Sequence, residues 1–269
     1  NLLGGEPGIG KSTLALQIAQ HLSGSGHTVL YVSAEESIRQ VKLRAERLGS
    51  LDESLLLLSE INILQICQAI KTIKPTFVVL DSIQVVYHPD LSAVSGTVSQ
   101  VRQCAHEFIR AVKDVESIGV MIGHITKDGG LAGPKVLEHL VDVILYFEGQ
   151  RDQHIRLLRS FKNRYHSTQE VGIFDMQQTG LVGIQNPSRL FVENTTLSYP
   201  GSLISAVTEG SRVLLVEIQA LVVHSGYGMA KRTFLGVDMN RANLMIAAME
   251  KILGIRLSQK DIILNIIGG

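Results

Sequence analysis

The chain has 269 residues, of which 45% are apolar and 5% aromatic, with 25 basic against 25 acidic side chains. That length holds one large domain or two ordinary ones, and the apolar content allows a sizeable core. A formal net charge of zero excludes a surface-wide field for nucleic acid or membrane, so any site for a polyanion has to be local.

In chain order, the apolar pair Leu2-Leu3 leads into Gly5-Glu6-Pro7-Gly8-Ile9-Gly10-Lys11-Ser12, a G-x-x-x-x-G-K-S run, and Thr13 to Leu22 is amphipathic. This is a phosphate-binding loop in the strand-loop-helix setting that it requires. Gly5 through Thr13 are expected to cradle ATP: backbone N–H groups and the helix N-terminus face the phosphates, and Lys11 adds a point charge. The Ser12 hydroxyl is a candidate Mg²⁺ ligand.

The pattern then alternates between buried strand runs and helices, which predicts an α/β fold with a mostly parallel sheet. Val29 to Ser33 is read as a strand, Ile38 to Leu48 as a helix, Leu55 to Leu58 as a strand and Ile63 to Ile73 as a helix stopped by Pro75. The strand Phe77 to Asp81 ends in a carboxylate, so Asp81 is the candidate Walker B residue holding Mg²⁺ beside the loop. After the strand Val29 to Ser33 come Glu35 and Glu36. If that strand neighbours the phosphate-loop strand, Glu35 is the first candidate for the base that orients the attacking water; Glu36 is the second, with the helix N-terminus as its alternative role.

A polar stretch from His88 to Ser99 precedes a helix through Val101, Cys104, Phe108 and Val112 and a strand from Val120 to His124. His124 is a candidate γ-phosphate sensor at that strand end, followed by a Gly- and Lys-containing loop with Lys127 and Lys135. Runs at Asp142 to Phe147, Ile155 to Phe161 and Val171 to Phe174 are read as a partly antiparallel extension of the sheet. Lys162-Asn163-Arg164-Tyr165 follows one of them, either as a phosphate-binding group with Arg164 as a charge-stabilising finger or as an ordinary solvated turn.

Periodicity fades between Gln177 and Gly201, so a boundary near residue 185 is expected, with one domain over 1–185 and another over 186–269. In the second, Val213 to Val223 is read as a long strand, Asn240 to Leu253 as a helix and Asp261 to Ile267 as a strand. Cys67 and Cys104 fall within apolar-periodic helices, as expected of reduced, buried thiols. No run has the length of a membrane span and no charged-then-apolar leader opens the chain, so a cytoplasmic internal piece of a longer protein is expected.

Taken together, Leu3 to Ser12, Val32-Ser33-Ala34-Glu35-Glu36-Ser37, Leu80-Asp81-Ser82-Ile83-Gln84 and Gly123 to His139 resemble the core motifs of the RadA/Sms family of bacterial recombination ATPases. That family is related to RecA and to DnaB-type helicases. Lys162-Asn163-Arg164-Tyr165 is similar to its K-N-R-F-G signature, with His166 where the family has Gly, a substitution that is costly if the turn there is left-handed. Residues from Gly210 to Arg241 resemble the family's Lon-protease-like domain.

The resemblance implies a RecA-type P-loop core followed by a truncated Lon-like domain, with ATP and Mg²⁺ as cofactors and zinc only in a ribbon that would precede Asn1. It further implies a DNA-dependent motor in recombination and repair that works by branch migration, on single-stranded or branched DNA. The full protein would be a homohexameric ring and would meet the recombinase RecA. Lys127 and Lys135 would face DNA, and Lys162, Asn163 and Arg164 would act at the subunit interface. Two rival readings stay open. One is a KaiC-like signalling ATPase; the other is an ATP-dependent peptidase, for which His224 and Ser225 in an expected loop are the only nearby polar pair.

Overall fold

The computed structural model describes residues 1–49, 51–124, 137–149, 154–185, 200–226 and 230–267. The chain divides into two compact units, Asn1–Ile184 and Gln185–Gly269. The first opens with β1 (Leu2–Gly5), α1 (Lys11–Gly24), β2 (Val29–Ser33), α2 (Ile38–Leu48), β3 (Leu55–Ser59), α3 (Ile63–Ile73), β4 (Phe77–Asp81), α4 (Val98–Asp114) and β5 (Ile118–His124). It continues through β6 (Val143–Glu148), β7 (Ile155–Asn163), β8 (Val171–Gln177) and β9 (Gly180–Gly183).

Among the described residues these strands form one sheet in the order β3-β2-β4-β5-β1-β6-β7-β8-β9. Pairing is parallel from β3 to β6 and antiparallel from β6 to β9. The parallel strands are covered on both faces, which is why their sequences are continuous apolar runs rather than alternating ones. Period-two alternation splits each strand between two cores. Leu30, Val32, Val78 and Leu80 meet Ile63, Ile66 and Phe108 of α3 and α4. Val29, Tyr31 and Val79 meet Leu16, Ala19, Val41 and Ala45 of α1 and α2.

Parallel pairing brings the C-terminal ends of β1, β5, β4 and β2 to one sheet edge, with Gly5 in register with His124 and Ser33 with Asp81. The conditional placement of β2 beside β1 is not what the fold adopts. Two strands, β4 and β5, lie between them, because each crossover helix carries the chain away from its strand before the next run pairs.

The stretch from Gln177 to Gly201, expected to be connection, contains β9, which pairs with β8. This strand is four residues long and bounded by glycines, too short for periodicity to register.

The second unit comprises β10 (Ser202–Glu209), β11 (Arg212–His224), β12 (Arg232–Leu235), α5 (Met239–Leu253) and β13 (Lys260–Ile267). Its sheet order is β10-β11-β13-β12, antiparallel except for the β12–β13 pair that α5 connects. Ile246 of α5 packs with Leu257, Ile262 and Phe234. Asp238 caps the helix start by accepting from the Arg241 N–H at 2.9 Å, and Gly254 ends it in a left-handed conformation. His224 ends β11 rather than lying in a loop, and the Ser225 N–H donates to the Gln259 carbonyl.

Candidate functional site

The loop between β1 and α1 is shaped by what its backbone must do. Gly10 has φ 115°, and a Cβ there would lie 2.4 Å from Met176 Cε of β8, so both conformation and space demand glycine. Gly10 is also the N-cap of α1, and no side chain caps that helix start. The first N–H groups of α1 are therefore available to an anion, with Ser12 and Thr13 in its first turn.

Lys11 is buried at 4% exposure. Its Nζ donates to the carbonyls of Gly5 at 2.7 Å and Glu6 at 2.8 Å, and lies 3.2 Å from His124 Nδ1. Burial pushes its pKa down to about 8, against the opposing pull of Asp81 and Glu35.

His124 stands between Lys11 and Glu35, with Nε2 3.1 Å from Glu35 Oε1. One tautomer satisfies both contacts: Nδ1 accepts from the ammonium, so Nε2 carries the hydrogen and donates to the carboxylate. Ser82 Oγ also donates to Glu35 Oε1. The His124 hydrogen bond is the main reason the Glu35 carboxyl is held below its ordinary range, with Ser82 and Lys11 adding to it against desolvation.

Glu36 faces elsewhere. It forms an ion pair with Arg44 of α2, and its backbone is tied to the Ser33 hydroxyl. Ser37, not Glu36, caps α2, with Gln40 completing the box. The geometry thus separates the two adjacent carboxylates that the sequence left competing.

Asp81, buried at the end of β4, accepts from Tyr31 Oη at 2.6 Å and also from Ser12. Burial raises its pKa, and these two hydrogen bonds oppose that rise. One carboxylate and one hydroxyl at a phosphate loop make a donor set that suits Mg²⁺, which keeps most of its waters and phosphate oxygens. Among the described residues no cluster of three or more His, Cys, Asp or Glu side chains could hold a metal by itself. Cys67 and Cys104 are free and buried, and burial pushes their thiols up to about 11 and about 12.

The basic group after β7 lies at the other edge of the sheet. Asn163 and Lys162 pair with Val143 and Ile144 at the start of β6, whereas β6 meets Gly5 at its end, through Phe147. Lys162 Nζ donates to the carbonyls of Glu138 at 2.6 Å and Val141 at 2.8 Å. The Asn163 side chain accepts from the N–H groups of Tyr165 and His166, forming the turn.

Among the described non-glycine residues only Lys74 and Glu116 have positive φ. His166 therefore bears no left-handed strain, because Asn163 makes the turn. Arg164 pairs with Asp142 at 2.7 Å, its side chain 56% exposed. Lys127 and Lys135 lie outside the described residues.

Sequence reasoning missed three participants. Ser82 was visible as the neighbour of Asp81, and Tyr31 as the one hydroxyl-tipped aromatic in an aliphatic strand. Arg156 of β7, 7% exposed, donates from Nε to the Ile9 carbonyl at 3.0 Å. Its only sequence signal was a charge inside a strand run.

A family model described as an AAA domain matches residues 1–130. A solved ATPase domain shares the fold, with TM-score 0.55 over 68% of this chain and 84% of that one at 14% identity, as expected for a RecA-type core. DNA repair protein RadA of Bacillus subtilis (strain 168) is 48% identical over 268 residues, covering 100% of this chain and 58% of that protein. RadA of Streptococcus pneumoniae (strain ATCC BAA-255 / R6) is also 48% identical, with 100% and 64% covered. RadA of Listeria monocytogenes serovar 1/2a (strain ATCC BAA-679 / EGD-e) is 48% identical over 269 residues, with 59% of its length matched. The chain thus spans about six-tenths of the length of the curated relatives it matches. With 48% identity over its whole length and a phosphate-loop site on an α/β core, the chain belongs to the RadA family.

Proposed function

We propose that this chain is the ATP-hydrolysing part of a DNA-repair motor that processes recombination intermediates by branch migration. The observation that carries the ATPase reading is the contact series Lys11–His124–Glu35 at the edge that also holds Ser12 and Asp81. Gly5 through Thr13 hold the triphosphate, and Lys11 neutralises it. Ser12 and Asp81 hold Mg²⁺, which would neutralise charge on the transferring phosphoryl group when bound. Glu35, kept ionised by His124 and Ser82, accepts a hydrogen bond from the attacking water and orients it. His124 senses the γ-phosphate because any group that draws Lys11 away changes what His124 offers Glu35.

The DNA role rests on the relatives named for DNA repair. Lys127 and Lys135 meet DNA phosphates, Arg164 serves the neighbouring subunit's nucleotide with Lys162 and Asn163 fixing its turn, and the second unit is a Lon-like scaffold in a hexameric ring. RecA is the partner recombinase in this reading. The test is ATP turnover with and without single-stranded DNA, with solution mass recorded on the same sample. Stimulation by DNA supports the motor; turnover indifferent to DNA favours a signalling ATPase.

Two further outcomes are expected. Replacing Lys127 or Lys135 by Ala should weaken DNA binding for every sequence alike and make the log–log salt slope shallower by about one per lost contact. An unchanged slope in both variants would remove them from the DNA surface.

For Lys11, the free-protein pKa of about 8 is raised again by bound phosphate. Binding therefore favours the protonated form: affinity is fully present below about pH 8 and lost as pH rises through the bound-state value. Calorimetry with ADP should show proton uptake at about pH 9 and affinity falling by up to about tenfold per unit there. Constant affinity over that window would exclude Lys11 as the phosphate grip.

A further inference from the structure

Arg156 reaches the phosphate loop from the antiparallel extension and makes a charge-assisted hydrogen bond to its backbone. Nε donates to the Ile9 carbonyl at 3.0 Å and Nη1 to the Ile155 carbonyl at 2.9 Å. The stem of Arg156 is pinned on its other side by Gly149, where a Cβ would lie 2.8 Å from Arg156 Cδ. The fork is therefore held between two carbonyls and a backbone wall. A guanidinium cannot shed its proton, so this buried charge is permanent.

A peptide unit is planar and trans, so its C=O and N–H point in opposite directions. Whatever fixes the Ile9 carbonyl also fixes the Gly10 N–H. We infer that Arg156 is a positioning residue for nucleotide binding: by drawing the Ile9 carbonyl outward it turns the Gly10 N–H inward, toward the phosphates beyond the first. The inference rests on the reading of this loop as the nucleotide site.

It also gives β7 a mechanical part. The same strand carries Arg156 beside the loop and leads into Arg164 at the opposite sheet edge, a span of about 25 Å at roughly 3.3 Å per residue. A displacement at one end has a rigid path to the other.

The test compares ADP and AMP affinities, by calorimetry, for the whole chain carrying Arg156→Met, Arg156→Gln or Lys11→Ala, alongside thermal unfolding of each. Arg156→Met should weaken ADP binding by about 10-fold to 100-fold, the range for a lost charge-assisted hydrogen bond, and AMP binding by far less. Under turnover, KM for ATP should rise with kcat nearly kept, because the contact serves ground and transition states alike. A merely structural arginine would lower the unfolding temperature and leave the ADP to AMP ratio where it is, and that result overturns the proposal.

If Arg156→Met does not fold, Arg156→Gln decides. It keeps a polar group but is too short to span from β7 to the Ile9 carbonyl, so a parent-like ratio in that folded variant overturns the proposal equally. Should Lys11→Ala also bind ADP like the parent, the nucleotide-site reading itself has failed. Loss with Lys11→Ala but not with the Arg156 variants sinks the positioning role alone.

Discussion

Replacing Glu35 by Gln should leave ATP binding close to that of the parent and slow hydrolysis by about 10²–10⁴-fold, the range for a positioned base. The amide is nearly isosteric, so Ser82 and His124 keep a hydrogen-bond acceptor, but the charge that organises the attacking water is gone. Lys11→Ala should behave differently and lose both binding and turnover, since its ammonium meets phosphate in every state. Glu36→Gln should hydrolyse ATP normally, because that carboxylate is committed to Arg44. Equilibrium binding of a fluorescent ATP analogue and steady-state turnover on the same preparations separate these cases. A Glu35→Gln enzyme as fast as the parent would move the base elsewhere.

Arg164→Ala should bind ATP nearly as the parent does and lose about 10³–10⁵ in DNA-stimulated turnover, the value of an arginine finger that acts on transition-state charge. The topology requires this arginine to act on another subunit or not at all. It lies at the sheet edge opposite its own phosphate loop and is exposed, with Asp142 as its partner in the isolated chain. An exposed ion pair of this kind contributes little to stability, so releasing Arg164 costs little. Arg164→Lys should not restore turnover, because an ammonium cannot reproduce the planar fork. Binding isotherms and turnover with single-stranded DNA, measured for all three proteins, check both halves of the expectation.

The parallel half of the first unit was legible because its strands are buried on both faces and its breaks carry Gly or Pro. Val29 to Ser33 and Phe77 to Asp81 emerge with the bounds that periodicity gives. Strand order was not legible, since pairing is long-range and an apolar run such as Val29 to Ser33 carries no label for its neighbour. That is why Glu35 reaches His124 without β2 ever touching β1. The short strands β9, β10 and β12 escaped for a different reason. Gly180 to Gly183 is brief, and Ser202 to Glu209 mixes Ser, Ala and Thr into its alternation.

At the site, motif spacing named Lys11, Ser12, Asp81, Glu35 and His124, which the fold brings to one edge. The support around them, Tyr31, Ser82 and Arg156, comes from strands whose proximity only the folded sheet creates. The turn at Lys162 to His166 shows the opposite failing: the sequence suggested strain at His166, and the Asn163 side chain removes it.

Hydrolysis that uses one subunit's Lys11 and Glu35 with a neighbour's Arg164 is tested most directly by mixing two inactive variants. In assemblies of Lys11→Ala with Arg164→Ala, the second supplies an intact nucleotide site and the first an intact arginine. DNA-stimulated turnover should reappear in the mixture while each variant alone stays inactive. No recovery in particles shown to contain both variants, or full activity of Arg164→Ala by itself, would contradict the account.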